Sequence, residues 1–396
     1  FLIALILIFV FKTFFFIFLY WKNNSLAFNF EADLSKKIFK LYLSQNYSFH
    51  TQIHSSELTR NIINEVNNFI YHFLLASLIL ISEIFVILVI FILLFFVQPI
   101  TTLAVSGFMI LVAYVYVQFN KKYISKLSKN RQIHEKLRLK HLRQGIDGIR
   151  EIIITGTAKE FIKIYDDHSS KGLFIKTIFQ FLNQIPRFVI ELTGIFFLVA
   201  SVVVIVLLDF DVKIQLPIIG LFAAAFFRLL PSINRIIQSS NSIRFSLPSL
   251  DLLYNELSNS NLNNKTEHYE EQDDKKNIAE FNKLNISNVS FFYPGSDKKV
   301  LQNISISINK GESLGIVGSS GSGKSTLVDL IAGLISPQEG NISLDGTSLN
   351  LIKKKWQKNI GYIPQHIFLT DETILKNVAF GIKNADIKIL SVKKAI

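Results

Sequence analysis

Five apolar runs of membrane-spanning length place the strongest constraint on what this chain can fold into. A helix needs roughly 20 predominantly apolar residues to cross the hydrocarbon core of a bilayer, and the runs lie at residues 1–21, 73–97, 100–119, 188–208 and 214–230. Only 18% of the 396 residues are charged, against about a quarter in soluble domains. The first run is too long for a signal peptide. The pattern excludes an ordinary soluble domain and predicts an all-α polytopic membrane domain.

Basic residues are concentrated between two of these runs. Residues 121–163 contain twelve Lys and Arg against four Asp and Glu. The positive-inside rule makes this segment cytoplasmic. Residues 22–72 and the chain after residue 231 then lie on the same side, with the short links 98–99 and 209–213 outside. The net charge of +12 therefore indicates cytoplasmic loops of a membrane protein, and no nucleic-acid partner is predicted.

The cytoplasmic segments 22–72 and 120–187 are too long for turns. Each keeps apolar residues at helical spacing, as at Leu34, Ile38 and Leu41. This spacing predicts membrane helices that continue into the cytoplasm and are joined there by short elbows.

The composition changes sharply at residues 258–280, which are polar and charged and are predicted to form a linker. We therefore divide the chain into a transmembrane domain (1–257), this linker, and a globular domain (281–396). The absence of cysteine excludes disulfides and thiolate metal sites. Strand-like runs in the globular domain lie at 284–292, 300–308, 313–317, 341–344 and 359–363, and the Asp345–Gly346 pair predicts a turn after the run 341–344.

A glycine-rich loop at residues 318–326 (GSSGSGKST) carries the clearest chemical signal. Gly318, Gly323, Lys324 and Ser325 satisfy the phosphate-loop pattern. A tight glycine-rich turn lets successive backbone N–H groups point at phosphates, and the following helix presents its positive end to them. Lys324 is expected to reach the β- and γ-phosphates, and the Ser325 hydroxyl to coordinate Mg²⁺. The other predicted ATP-binding residues of the loop are Ser319, Ser320, Gly321, Ser322 and Thr326.

Three segments in this order resemble the nucleotide-binding domain of ATP-binding cassette (ABC) transporters. They are VSFFYP at 289–294, the loop at 318–326 and IGYIPQHIFL at 360–369. The resemblance implies that Tyr293 stacks on adenine and that Gln365 contacts Mg²⁺ and the attacking water. The alternative for Tyr293 is a buried strand aromatic.

The resemblance implies an exporter-type half-transporter, in which five of six spans are visible and a partial α/β P-loop NTPase domain follows. A second half-transporter would be needed as homo- or heterodimeric partner, with ATP and Mg²⁺ as cofactors. The elbows near 46–52 and 148–159 would be coupling helices. The catalytic residues, namely the family's Walker B glutamate and switch histidine, are expected beyond residue 396, so this stretch alone is not expected to hydrolyse ATP. The implied location is the inner (plasma) membrane, with the ATPase domain in the cytoplasm.

Charged residues inside the apolar runs are costly and therefore candidates for function. Glu83, Glu191 and Arg228 are interpreted as groups of a substrate cavity, or as members of interhelical ion pairs. Lys12 is a further candidate, for which snorkelling of the side chain toward the end of its run is the better interpretation. The runs at 42–66 and 216–236 look closer to bacterial lipid-linked oligosaccharide flippases than to drug exporters. The predicted partners are therefore membrane lipids and an amphipathic or lipid-linked substrate. A multidrug or peptide exporter, and a catalytically silent regulator or heterodimer partner, remain alternatives.

Overall fold

The computed structural model describes residues 2–207, 212–262, 281–296, 298–365 and 367–396. The chain divides into two compact units. The first comprises Phe1–Gln45 and Phe49–Tyr269, and the second comprises Asn46–Ser48 and Glu270–Ile396.

The first unit is built from long helices, which confirms the predicted helical membrane fold class. Proline and glycine set several of the boundaries, since Pro99 occupies the first turn of one helix and Gly156, with a φ of +68°, ends another. Two π turns, at Asn61–Glu65 and Ile70–Leu74, interrupt the regular α-helical winding between Ser55 and Val97. The helices are α1 Leu2–Leu43, α2 Tyr47–Gln52, α3 Ser55–Arg60, α4 Val66–Phe69, α5 Leu75–Val97, α6 Pro99–Asp147, α7 Ile149–Thr155, α8 Ala158–Leu207 and α9 Val212–Leu262.

Four helical stretches of the described chain are long and apolar enough to cross a membrane, namely Leu2–Leu43, Ser55–Val97, Pro99–Asp147 and Ile219–Ser258. The predicted run 188–208 lies in α8 up to Leu207, whereas Leu208 and most of the predicted link 209–213 belong to the part that the structure does not describe. With 49 residues, α6 is about 70 Å long at 1.5 Å per residue. Its length is therefore about twice the thickness of a bilayer core. This agrees with the prediction, from the helical spacing of 120–187, that membrane helices continue beyond the bilayer.

Side chains from distant helices close the core of the first unit. The rings of Phe179 on α8 and Phe245 on α9 stack with centroids 4.0 Å apart. Pro186 lacks an N–H and cannot bond to the carbonyl of Leu182 in the same helix, and the hydroxyl of Tyr116 on α6 donates to that carbonyl instead. The bundle thus satisfies a backbone group that proline leaves free.

The last helix extends further than the sequence indicates. Residues 258–262, predicted as the start of the linker, belong to α9. Leu253 and Leu257 pack against the core near Ile38 and Tyr42, so the helical register is held by packing close to this point. The rest of the predicted linker, 263–280, falls among the residues left undescribed.

The second unit contains a four-stranded antiparallel sheet in the order β2-β1-β3-β4. An Asp345–Gly346 turn joins β3 to β4, and both residues have positive φ, as two-residue hairpin turns require. The expectation that Asp345 forms a turn is confirmed. The elements are β1 Lys283–Phe291, β2 Leu301–Asn309, α10 Lys324–Ile331, β3 Glu339–Leu344, β4 Thr347–Ser348, α11 Leu349–Gln357, α12 Ile374–Val378, a 3₁₀ turn Asn384–Asp386 and α13 Ile389–Ala395.

Two predicted strands are wrong. Residues 313–317 and 359–363 do not join the sheet in the described part of the chain. A strand exists only where a neighbour completes its ladder of hydrogen bonds. No described strand pairs with either segment, and Val317 and Ile363 are 97% and 89% exposed. Apolar composition alone therefore did not identify these segments correctly.

Candidate functional site

The glycine-rich loop leads directly into α10, which begins at Lys324. Gly321 and Gly323 have φ angles of +80° and +91°, a region that side chains with a Cβ rarely adopt. A Cβ at Gly323 would also lie 2.8 Å from Leu301 Cδ2 and 3.1 Å from the carbonyl oxygen of Val300. Glycine is required at position 323 by both conformation and space. The glycines of the phosphate-loop pattern therefore permit a loop backbone that residues with a Cβ would rarely form.

The ammonium group of Lys324 lies over this loop. Its Nζ donates to the carbonyl oxygens of Gly318 at 2.9 Å and Ser319 at 2.7 Å. The positive charge is thus held beside the first turn of α10, whose N–H groups have no partner within the helix. Both features favour an anion at this place.

The two hydroxyl residues after Lys324 differ in surroundings. Ser325 is exposed, whereas Thr326 is buried and its Oγ1 lies 3.1 Å from the hydroxyl oxygen of Tyr293. Tyr293 lies beyond the end of β1, is 37% exposed, and contacts the ring of Phe291 edge-on at 5.1 Å. Tyr293 is therefore not a buried strand aromatic, and it lies against α10, the helix that follows the loop.

Gln365 lies in an exposed bend, and in the described chain no hydrogen bond joins it to the loop. The neighbouring His366 is among the residues without a described placement. The described residues include no cluster of three His, Asp or Glu side chains that could hold a metal ion. Of the two predicted Mg²⁺ ligands, Ser325 therefore lies at the loop with an exposed hydroxyl, whereas Gln365 has no described hydrogen bond to the loop.

The three charged residues predicted to line a substrate cavity have different surroundings. Glu83 on α5 is 5% exposed and forms an ion pair with Arg235 on α9. This is the interhelical pairing that the sequence left open, although its partner lies just beyond the run 214–230 and was not predicted. Glu191 is half-buried, and Arg228 is exposed and has no ion-pair partner among the described residues. In the described part of the chain no hydrogen bond or ion pair joins any two of these three residues.

Comparison with known protein families matches two separate parts of the chain. Residues 1–230 match the ABC transporter transmembrane region, and residues 301–394 match the ABC transporter model. The chain combines a bundle of membrane-length helices with an α/β unit that carries a glycine-rich loop. This combination is typical of the class of nucleotide-dependent membrane transporters. Within that class, this chain belongs to the ABC transporter family and has the organisation of an exporter-type half-transporter.

Individual relatives cover parts of the chain. An ATP-dependent lipid A-core flippase from Pseudomonas savastanoi pv. phaseolicola is 41% identical over 99 residues, which is 25% of this chain and 16% of the flippase. A sophorolipid transporter from Starmerella bombicola is 35% identical over 108 residues, covering 27% of this chain and 8% of that transporter. A solved bacterial Atm1-family ABC exporter with ATP bound has a TM-score of 0.70 at 16% identity, covering 91% of this chain and 63% of that one. The chain thus spans less than two thirds of each relative, and the last comparison identifies the fold alone.

Proposed function

We propose that this protein is a subunit of an ATP-driven exporter or flippase that moves a lipid-linked or amphipathic substrate across the inner membrane. The observation that carries the proposal is the loop at 318–326, with its two positive-φ glycines and its lysine, in a chain that also has membrane-length helices. The second unit would lie in the cytoplasm. A second half-transporter would complete the assembly.

The residues present fit a bound Mg²⁺–ATP. Gly321 and Gly323 leave the loop backbone free to approach phosphates, and within the described chain no atom lies within 4 Å of the space that a Cβ at Gly321 would fill. Lys324 would exchange the carbonyls of Gly318 and Ser319 for phosphate oxygens, and Ser325 would hold Mg²⁺. Tyr293 would stack on the base and Gln365 would approach the metal. ATP, when bound, supplies the free energy that drives such a transporter.

Nucleotide binding tests the first half of the proposal. We expect the purified chain to bind a fluorescent ATP analogue in the presence of Mg²⁺, with unlabelled ATP competing. Tyr293→Ala should weaken binding about tenfold, since a base stacked on an aromatic ring contributes roughly 1–3 kcal/mol. Tyr293→Phe keeps the ring and loses only the contact to Thr326, so it should bind nearly as well as the original chain. Equal losses in the two variants would contradict a stacking role.

The substrate half of the proposal rests on Arg228 and on the names of two relatives, a lipid A-core flippase and a sophorolipid transporter. A cation without an ion-pair partner in an apolar run is suited to an anionic headgroup. We expect the chain in detergent to bind a fluorescent polyprenyl-diphosphate sugar. Arg228→Ala should weaken this binding about ten- to a hundredfold, because one charge-assisted hydrogen bond contributes roughly 1.5–3 kcal/mol. Lys12→Ala, a cation of another apolar run, is the control and should have no effect. Preferential binding of a cationic drug would favour the multidrug alternative.

A further inference from the structure

A cluster of charged side chains lies inside the helical unit, at sequence positions outside the apolar runs. Arg131 on α6 and Glu65 in the first π turn are both 0% exposed, and Arg60 and Glu135 are 3% and 6% exposed. The two arginines balance the two glutamates. Such burial of four charges is rare, because each charge loses its hydration when it leaves water.

Arg131 is the centre of this buried cluster. Its Nη1 lies 2.8 Å from Glu135 Oε2, and its Nη2 lies 3.4 Å from Glu65 Oε2 and 3.1 Å from Ser249 Oγ on α9. Ser249 in turn donates to Glu65 Oε2 at 2.6 Å. The guanidinium carbon lies 5.3 Å from the ring centroid of Phe245, also on α9. One arginine therefore contacts groups from three separate helical segments.

The cluster reaches the remaining long helices at its edges. Lys176 on α8 lies 3.1 Å from Glu135 Oε1. Asn61, at the start of the π turn that ends with Glu65, donates to the hydroxyl of Tyr42 on α1 at 3.0 Å. A π turn contains more residues than an α-helical turn and is frequent at functional positions. Here the residues at both ends of the turn, Asn61 and Glu65, are buried in the cluster.

Stability alone does not account for this arrangement. Apolar side chains of similar volume are often at least as stabilising as a buried ion pair, whereas an ion pair has one favourable geometry and fixes the register of the helices that carry it. Among the described residues, Arg131 Nε has no hydrogen-bond partner in the protein, and Arg60 Nε and Glu65 Oε1 form an ion pair at 3.7 Å, which is too long for a hydrogen bond. The loss of hydration of the four charges is thus only partly offset by the contacts of the cluster. Its contacts, however, are formed in only one relative position of the helices.

We infer that Glu65, Arg131, Glu135 and Ser249 form a positioning site that holds the helix Ser55–Val97, α6 and α9 in one register, so that these helices move together. The inference goes beyond the proposed function and does not depend on nucleotide binding. The helix Ser55–Val97 begins just after the elbow at 46–52. If that elbow were displaced, the site would stop this helix from sliding along α6 and α9, and all three would move with the elbow.

Paired spin labels test this inference without nucleotide, and the absence of native cysteine means that two introduced cysteines are the only labelled positions. We choose Ile63 and Tyr254, which are 60% and 68% exposed and lie near Glu65 and Ser249. The original chain should give one narrow distance. Arg131→Gln should add a second distance displaced by up to one helical turn, about 5 Å. A single unchanged distance in Arg131→Gln would overturn the inference.

Lys136→Gln is the matched control. Lys136 is on the same helix as Arg131 and also pairs with a glutamate, Glu57, at 2.6 Å, but its side chain is 49% exposed. Substitution of Lys136 should leave the distance between the spin labels unchanged, because exposed ion pairs contribute little to the stability of a structure. A shift as large as that of Arg131→Gln would contradict a specific role for the buried site.

A second variant separates positioning from stability and keeps the test valid if Arg131→Gln does not fold. Arg60→Met combined with Glu65→Leu, Arg131→Met and Glu135→Leu replaces all four buried charges by apolar groups of similar size. We expect this protein to be folded and monodisperse, yet to give a broadened distance distribution. A narrow, native distance in this variant would show that the charges do not set the register and would overturn the inference.

Discussion

Replacing Lys324 by methionine is expected to weaken Mg²⁺–ATP binding about 100-fold, because each charge-assisted hydrogen bond to a phosphate contributes roughly 1.5–3 kcal/mol. The methionine side chain has a similar length, so the loop is not forced to change shape. The two bonds from Lys324 Nζ to the carbonyls of Gly318 and Ser319 are lost as well. Titration with a fluorescent ATP analogue measures the affinity.

The control for this experiment is Lys358→Met. Lys358 is an exposed lysine at the end of α11 in the same unit, so its substitution removes the same charge at a distance from the loop. Affinity should change less than twofold, within the range expected for a surface charge. If both variants lose affinity equally, the effect comes from the net charge of the unit and the role assigned to Lys324 is wrong.

Replacing Gly194 by valine is expected to remove most of the folded protein from membranes. Gly194 on α8 is buried, and a Cβ there would overlap three carbon atoms of the Phe226 ring on α9. Phe226 is itself held in a core with Met109 and Ile190. Small residues at such contacts let two membrane helices approach closely, and overpacking a core costs about 1–3 kcal/mol or more. The yield of monodisperse protein after detergent extraction measures the effect.

Gly220→Val is the matched control for this prediction. Gly220 is an exposed glycine in an apolar run of α9, and no atom of the described residues lies within 4 Å of the space its Cβ would take. Yield should remain near that of the original chain. Adding Phe226→Ala to Gly194→Val removes the overlapping ring and should restore part of the yield. Equal yields from Gly194→Val and Gly220→Val would contradict the contact.

The sequence was sufficient where the cause of a structure is local. The apolar runs predicted helices because a bilayer core has a fixed thickness, and the Asp345–Gly346 pair predicted a turn because both residues tolerate positive φ. The helix that begins at Lys324 is another such case, since Gly323 immediately before it permits the backbone angle that the loop needs. Each of these features is determined by residues within one or two turns of chain.

Tertiary structure decided the features that depend on partners distant in the chain. Residues 313–317 have the composition of a strand, but a strand forms only against a neighbour, and no local pattern reports whether one is present. Glu83 and Arg235 are 152 positions apart, and Glu65 and Ser249 are 184 apart. Their pairing depends on how whole helices pack, because only packing brings these groups together and removes them from water. The sequence alone therefore determined the helices and the phosphate-type loop, while packing decided which charges are buried and which residues they contact.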